Sequence, residues 1–421
     1  MADFVKPAFI ETEPDSHFPI QNLPFGVFEH PVTGEARCAT AIGKYLADLR
    51  ELEEHNLFEN TKLHGKRAFT FSTLDLFLSL GTSAWKEARA RLKELLTGDD
   101  PALERDPGLR EKVFHLREDV KMLVPVRITD VTASLNSLSY IKNLQSVFNQ
   151  GKELEHRLQQ MPVLSHGRPA SVFISGTGLK RPYGPRQLPG EKNLTISPTR
   201  MLDVELCTGF VTGKGNLQGM SMSVRKAEES IFGHLLVLNW IARDFQAGNA
   251  DDVNQKPGFH LMSTISPWIV TSDALEPLRI DKVQEEVSIM RHLRAKKEHH
   301  YDIRLEMVIE SSQQGEPIAL TGTNTRYLHW NPAQELAHRT VTGARVNTGE
   351  LFISGPVSGP ERACSSLMEI TADGNELLVL PNGEERMFLL DGDRIRAGGY
   401  GEAGGYRIGF GEVSGYIEAA F

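Results

Sequence analysis

From about Val124 onward, the chain consists of short apolar runs that glycine and proline interrupt at close intervals. Such runs are typical of strands joined by tight turns, and one helix, Lys226–His234, is expected among them. The pattern therefore predicts a mainly β protein with a rolled or sandwiched sheet over most of its length. The predicted strands include Ser171–Gly176, Val204–Val211, Trp268–Val270, Leu351–Gly355 and Leu377–Leu380.

The first 120 residues differ in pattern from the rest. Phe18–Glu29 and Arg37–Leu46 are predicted to contain strands, and a helix is expected between a cap at Ser83 and a stop at Gly98. The apolar positions at helical spacing are Trp85, Ala88, Leu92 and Leu95. We therefore expect two domains, residues 1–120 and residues 121–421.

Charge and cysteine content exclude several classes of protein. The formal net charge is -9, which does not favour nucleic acid or an anionic lipid surface as a partner. The three cysteines, Cys38, Cys207 and Cys364, are too scattered for a disulfide framework, so a reducing compartment is expected. The N-terminus has no apolar signal segment, and the most apolar run, His234–Ile241, is too short to span a bilayer. We expect a cytoplasmic protein without a membrane partner.

The glycine-rich segment Gly398–Gly411 could be taken for a phosphate-binding loop. However, no helix start follows it, and Tyr406, Ile408 and Phe410 alternate as they would in a strand. Tight turns between the last strands are the better interpretation.

Seven blocks of sequence resemble the fumarylacetoacetase (fumarylacetoacetate hydrolase) family, and they occur in that family's order from about Phe18 to Tyr416. The resemblance implies a small SH3-like N-terminal domain, a β-roll C-terminal domain that contains the active site, and a homodimer. The blocks are Phe18–Phe28, His166–Arg168, Met201–Glu205, Trp240–Asp244, Ser266–Trp268, Ser354–Glu361 and Phe388–Gly411.

The resemblance also implies a site for a hard divalent cation, held by four carboxylates, that stabilises the enolate leaving group of a 1,3-diketone. Matched residue by residue, this chain keeps only one of the four. The first aspartate falls on Ala133, the Glu-x-Glu pair falls on Glu205 and Cys207, and the last aspartate falls on Asn239. We therefore expect no metal and no other cofactor.

The catalytic residues implied by the resemblance have changed as well. Tyr140 stands at the position of the water-activating histidine, while its glutamate partner is retained as Glu369. Phe259 stands at the lysine position and Ser263 at that of a metal-site threonine. The substrate-contacting positions hold Leu135, Asn149, Ser165, Pro356 and a retained Gln246.

These substitutions favour a more apolar pocket that binds a larger ligand than a dicarboxylic diketone. Glu205, without a cation, would be a poorly solvated carboxylate suited to acid–base chemistry, or a carboxylate held by backbone amides. Tyr140, if paired with Glu369, could donate to a substrate carbonyl, or could simply fill the former histidine site. A transition metal on Glu205, Cys207 and a nearby histidine is a further alternative.

Three functions remain open from the sequence. The first is a metal-independent enzyme that cyclises, isomerises or rearranges an apolar carbonyl-bearing intermediate, as in secondary metabolism. The second is a non-catalytic binding homologue, and the third is a retained fumarylacetoacetase-type hydrolase.

Overall fold

The computed structural model describes residues 9–144, 151–187, 193–246, 261–281, 289–295, 299–312, 314–372 and 374–421. Within them the protein is mainly β, as predicted. No helix in these ranges combines the length and the apolar character needed to cross a membrane.

The N-terminal part is an antiparallel five-stranded sheet in the order β4-β3-β2-β1-β5, flanked by helices. Its strands are β1 Phe25–Glu29, β2 Ala36–Ile42, β3 Tyr45–Asp48, β4 Phe114–Leu116 and β5 Lys121–Leu123. Its helices are α1 Leu49–Glu54, α2 Asp75–Ser79, α3 Thr82–Thr97, α4 Ala102–Arg105 and α5 Pro107–Val113.

Helix α3 confirms the predicted stop but not the predicted start. Gly98 ends the helix with a left-handed backbone (φ 71°), a conformation that glycine adopts without steric cost. Gly81, and not Ser83, is the N-cap, so the helix begins one residue before Ser83.

The C-terminal part contains two large sheets, one of eight strands in the order β7-β6-β20-β12-β13-β14-β8 with β15 attached to β13, and one of five in the order β19-β18-β23-β24-β9. Its first strands are β6 Val131–Leu135, β7 Val163–His166, β8 Val172–Ile174, β9 Thr177–Lys180, β10 Tyr183–Gln187, β11 Leu194–Pro198, β12 Leu202–Thr212, β13 Ile231–Ala242, β14 Met262–Ile265 and β15 Val270–Thr271. The remaining strands are β16 Arg279–Asp281, β17 His299–Tyr301, β18 Arg304–Ser311, β19 Gln314–Asn324, β20 Leu351–Pro356, β21 Leu378–Val379, β22 Glu385–Arg386, β23 Arg394–Ala403 and β24 Tyr406–Glu418. The helices are α6 Leu138–Asn143, α7 Gly151–Gln160, α8 Val224–Ser230, α9 Pro332–Arg339 and α10 Leu367–Ile370.

The predicted helix Lys226–His234 is wrong at its C-terminal end. Helix α8 stops at Ser230, and β13 starts at the next residue. Every residue of β13 is buried, because one hydrophobic core covers each face of the eight-stranded sheet. A largely apolar segment therefore forms a central strand here, buried on both faces.

The glycine-rich C-terminal segment forms the hairpin of β23 and β24, which confirms the strand interpretation over a phosphate loop. A second glycine matters near the site. Gly355 in β20 has φ 70°, and a Cβ at this position would lie 2.1 Å from the carbonyl oxygen of Ser134. Only glycine lets β20 approach β6 this closely and bring Pro356 beside Cys207.

Candidate active site

Strand β12 supplies the centre of the site, because its side chains point alternately to the two faces of the sheet. Asp203, Glu205 and Cys207 are at alternate positions on one face, and the intervening Val204 and Leu206 belong to the core on the opposite face. The antiparallel partner β13 places Asn239 directly opposite Glu205. Three of the predicted site positions, Glu205, Cys207 and Asn239, are thus brought together.

The Glu205 carboxylate is buried and uses both of its oxygens. Its Oε1 accepts a hydrogen bond from the Tyr140 hydroxyl at 2.7 Å and an ion-paired bond from Arg243 Nη2 at 2.8 Å. Its Oε2 accepts from Asn239 Nδ2 at 3.4 Å, and Asn239 Oδ1 accepts from Ser263 Oγ at 3.0 Å. Side chains hold Glu205, so the alternative of a carboxylate held by backbone amides is wrong.

Arg243 joins two buried carboxylates. Its Nε and Nη2 donate to Asp203 Oδ2 at 3.0 and 2.8 Å, and the same Nη2 reaches Glu205. Burial raises the pKa of Asp203, and the charge of Arg243 acts in the opposite direction. Neither Arg243 nor Asp203 is among the predicted site residues, although both lie in blocks that carry the family resemblance.

Helix α6 positions Tyr140 inside the site. Ser137 caps the helix by accepting from the Tyr140 amide at 3.0 Å, and the ring packs with Leu144, Met368 and Phe388 in a small apolar cluster. Burial raises the pKa of Tyr140 well above its ordinary value, and the negative charge of Glu205 adds to this. The phenol is therefore neutral and acts as a hydrogen-bond donor.

The predicted pairing of Tyr140 with Glu369 is wrong, because the Tyr140 hydroxyl donates to Glu205. Glu369 is instead held by the loop before its own helix α10. Its Oε2 accepts from Ser358 Oγ at 2.9 Å, from the Ser365 amide at 3.0 Å and from Ser366 Oγ at 3.1 Å. Its Oε1 accepts from Asn143 Nδ2, at the end of α6, at 2.9 Å. Burial raises the pKa of Glu369, and the hydrogen bonds from Asn143 and from these three serines oppose the increase.

The remaining predicted positions surround this centre on neighbouring strands. Ala133 of β6 pairs with Ser165 of β7, whose Oγ donates to the Ala133 carbonyl at 3.3 Å. Leu135 packs against the apolar cluster of Tyr140, and Pro356 pairs with Cys207 across β20 and β12. These positions line the same region of the sheet, and their contact with a substrate stays a prediction.

Three predicted positions cannot be placed in the same way. Phe259 and Asn149 lie outside the described residues. Gln246 ends the short 3₁₀-helix Arg243–Gln246, and its side chain also lies outside the description.

The residues at the implied cation site do not fit a hard divalent ion. Ala133 has no side-chain oxygen, and burial raises the pKa of Cys207 well above its ordinary value, which leaves a neutral thiol. The single carboxylate of the implied set, Glu205, already pairs with the guanidinium of Arg243 at 2.8 Å. Calcium and magnesium require several anionic oxygens, and a fixed positive charge beside the only one opposes their binding.

Residues 21–125 match the family Fumarylacetoacetase N-terminal, and residues 130–416 match the family Fumarylacetoacetate (FAA) hydrolase C-terminal. The fold and the order of its parts therefore define a protein of the fumarylacetoacetate hydrolase class. The solved fumarylacetoacetate hydrolase of the psychrophile Exiguobacterium antarcticum has the same fold, with a TM-score of 0.52 and 15% identity over 94% of this chain and 99% of that one.

Similarity to curated proteins extends over nearly the whole chain. It is 38% identical to the fumarylacetoacetase of Arabidopsis thaliana over 97% of this chain and 98% of that protein. It is 34% identical to the fumarylacetoacetase of Homo sapiens, also over 97% and 98%. The chain belongs to the fumarylacetoacetase family.

Proposed function

We propose that this family member is a metal-independent enzyme that rearranges an apolar, carbonyl-bearing intermediate by cyclisation or isomerisation. The observation that carries the proposal is the buried Tyr140–Glu205–Arg243 network, which stands where the resemblance places a cation. A phenol and a guanidinium supply hydrogen-bond donors to a developing oxyanion in a water-poor site, without a Lewis acid.

The geometry gives each residue a role. Because Glu205 Oε1 accepts from both Tyr140 and Arg243, the carboxylate stays compensated by Arg243 when the Tyr140 hydroxyl turns to a substrate carbonyl. Glu205 would then accept a proton from the carbon next to that carbonyl and return it at another position. Ala133, Leu135 and Pro356 would provide apolar contacts for the rest of the substrate.

The test is turnover of polyketide- or terpenoid-type carbonyl compounds by purified protein. Tyr140→Phe keeps the ring and removes the hydroxyl, and we expect it to lower kcat/KM by about 100-fold. Tyr183→Phe is the matched control, since Tyr183 is 50% exposed and its hydroxyl donates to the Phe421 carbonyl, away from the Glu205 network. Equal rates with boiled protein, or full activity in Tyr140→Phe, would contradict the proposal.

One observation favours a second function, that of a non-catalytic binding homologue. Tyr140, Glu205 and Asn239 are each at most 5% exposed, and Tyr140 and Asn239 both donate hydrogen bonds to Glu205. A ligand would have to displace these bonds or bind beside them. A Glu205→Gln variant that binds a candidate carbonyl ligand as well as the wild type, with no turnover by either, would favour this function.

The names of the relatives favour a third function, hydrolysis of a 1,3-diketone. The unsuitable donor set at positions 133, 205, 207 and 239 is the argument against it. A diketone-cleavage assay with added Mg²⁺ or Ca²⁺ separates this function from the first two, because only the third predicts cleavage that depends on the cation.

A further inference from the structure

A histidine–carboxylate cluster lies in the N-terminal sheet, far along the sequence from the residues of the active site. It consists of His30, Asp48 and His115, and one ligand atom from each lies within 4.8 Å of the other two. His30 follows β1, Asp48 ends β3 and His115 is the middle residue of β4. The fold thus assembles three residues that lie 18 and 67 positions apart in the sequence, a spacing that no motif would reveal.

The chemistry of these side chains is that of a ligand set. Two imidazoles and one carboxylate bind zinc and other divalent transition ions, which prefer nitrogen donors, and they do not select calcium or magnesium. The rings of His30 and His115 lie 5.2 Å apart at an interplanar angle of 80°, an edge-to-face arrangement that brings the two imidazoles together without stacking them. In tetrahedral zinc sites the ligand atoms lie about 3.3 Å apart, so modest side-chain rotations would close this set around an ion.

The hydrogen bonds of the cluster leave ligand atoms available. His115 Nε2 is shielded from solvent and has no hydrogen-bond partner among the described residues. His30 Nδ1 accepts only long bonds, from the amides of Val32 at 3.3 Å and Thr33 at 3.2 Å, and these orient its ring. A buried ring nitrogen without a partner is costly, and a bound cation would satisfy it.

Arg37 beside the cluster does not make it repulsive to a cation. Its guanidinium contacts Asp48 Oδ2 at 3.0 Å, Glu51 Oε1 at 2.9 Å and Glu35 Oε2 at 3.2 Å. Glu35 also pairs with Arg50 at 3.3 Å, so three carboxylates face two guanidiniums and the surroundings keep a net negative charge. When an ion takes Asp48 Oδ2, Arg37 still has two partners, while Asp48 Oδ1 continues to cap α1 through the amides of Arg50 and Glu51.

We propose that His30, Asp48 and His115 form a binding site for one zinc-like divalent transition ion. The ion would connect the end of β1, the end of β3 and strand β4. The remaining coordination positions would be filled by water or a small ligand, as in zinc sites with three protein ligands. This site is independent of the proposed function of the C-terminal part.

The test uses the full-length, tag-free protein after dialysis against a chelator, titrated with Zn²⁺ by calorimetry and with Co²⁺ by visible absorption. We expect one ion per chain and a rise in Tm on zinc addition. His115→Ala and His30→Gln should each weaken binding by at least about 100-fold, because each removes a ligand. His55→Gln, which changes a histidine outside the cluster, should bind as the wild type does.

The proposal is overturned if the wild type binds no stoichiometric Zn²⁺, or if His30→Gln and His115→Ala bind it as tightly as the wild type. His30 is only partly buried, so His30→Gln is the variant most compatible with folding. Its circular dichroism without metal, compared with that of the wild type, separates loss of the site from loss of the fold. Because the test measures binding and not turnover, failure of the proposed enzymatic function leaves its result unchanged.

Discussion

Replacing Arg243 with methionine is expected to lower the free energy of unfolding by about 3–5 kcal/mol, since it leaves two buried carboxylates without their cation. Asp203 is fully buried and Glu205 is 4% exposed, and Arg243 lies within 3.0 Å of both. Methionine fills a similar volume, so the effect measures the lost charge more than a cavity. Urea unfolding of the purified variant at neutral pH gives the value.

Two further variants show that the loss comes from the charge network. Arg225→Met removes an arginine whose side chain is 84% exposed and, within the described ranges, paired only with Glu229. It should change stability by no more than about 0.5 kcal/mol. Adding Glu205→Gln to Arg243→Met should recover at least about 1 kcal/mol, because one uncompensated charge disappears. An Arg243→Met protein as stable as Arg225→Met would contradict the described network.

The second large effect concerns Glu335 of helix α9, which is hydrogen-bonded to the residue that follows β6. It is 3% exposed, and Asn136 Nδ2 donates to its Oε1 at 3.0 Å. Burial raises its pKa to about 8 from an ordinary value of 4.5. Between pH 4.5 and 8, the folded protein therefore holds on Glu335 a proton that the unfolded chain has already released. The contribution of Glu335 to the free energy of unfolding has its full value below pH 4.5 and is lost as the pH rises through 8.

Glu335→Gln removes this ionisation and retains an oxygen for Asn136. We expect the variant to gain stability over the wild type as the pH rises from 4.5 to 8, by a total on the order of 5 kcal/mol, with a plateau above pH 8. Urea unfolding at a series of pH values measures the difference. Glu59→Gln, at an exposed position, should show a flat difference, and an equally flat curve for Glu335→Gln would contradict a buried, protonated Glu335.

Much of the fold was predictable because it depends on local patterns. The glycine and proline punctuation located the strands β12 and β20, and Gly98 located the end of α3. The junction between α8 and β13 was not predictable in this way, because the helix continues directly into the strand. What ends the helix is the burial of Ile231 and the residues after it in the sheet, and that is a tertiary effect.

The sequence predicted several residues of the candidate site but not the hydrogen bonds between them. The sequence pointed to Glu205 and Cys207 through the Glu-x-Glu position, and to Asn239 through the position before Trp240. The structure brings these three residues together. The predicted partner of the Tyr140 hydroxyl was wrong. The actual partner, Glu205, lies 65 residues away in sequence, and the contact depends on how α6 is placed relative to β12. Arg243 belongs to the block Trp240–Asp244 that carries the family resemblance. Its contact with two carboxylates, however, follows only from the pairing of β12 with β13.

The central claim is that the C-terminal site has too few anionic oxygens to hold a hard divalent cation. Calorimetric titration with Ca²⁺, Mg²⁺ and Mn²⁺ tests it most directly, on the wild type, on Glu205→Gln and on the triple variant Ala133→Asp, Cys207→Glu, Asn239→Asp as the carboxylate-restored control. We predict no stoichiometric binding by the wild type and no difference from Glu205→Gln. One tightly bound Ca²⁺, Mg²⁺ or Mn²⁺ per wild-type chain, lost in Glu205→Gln, would contradict the claim.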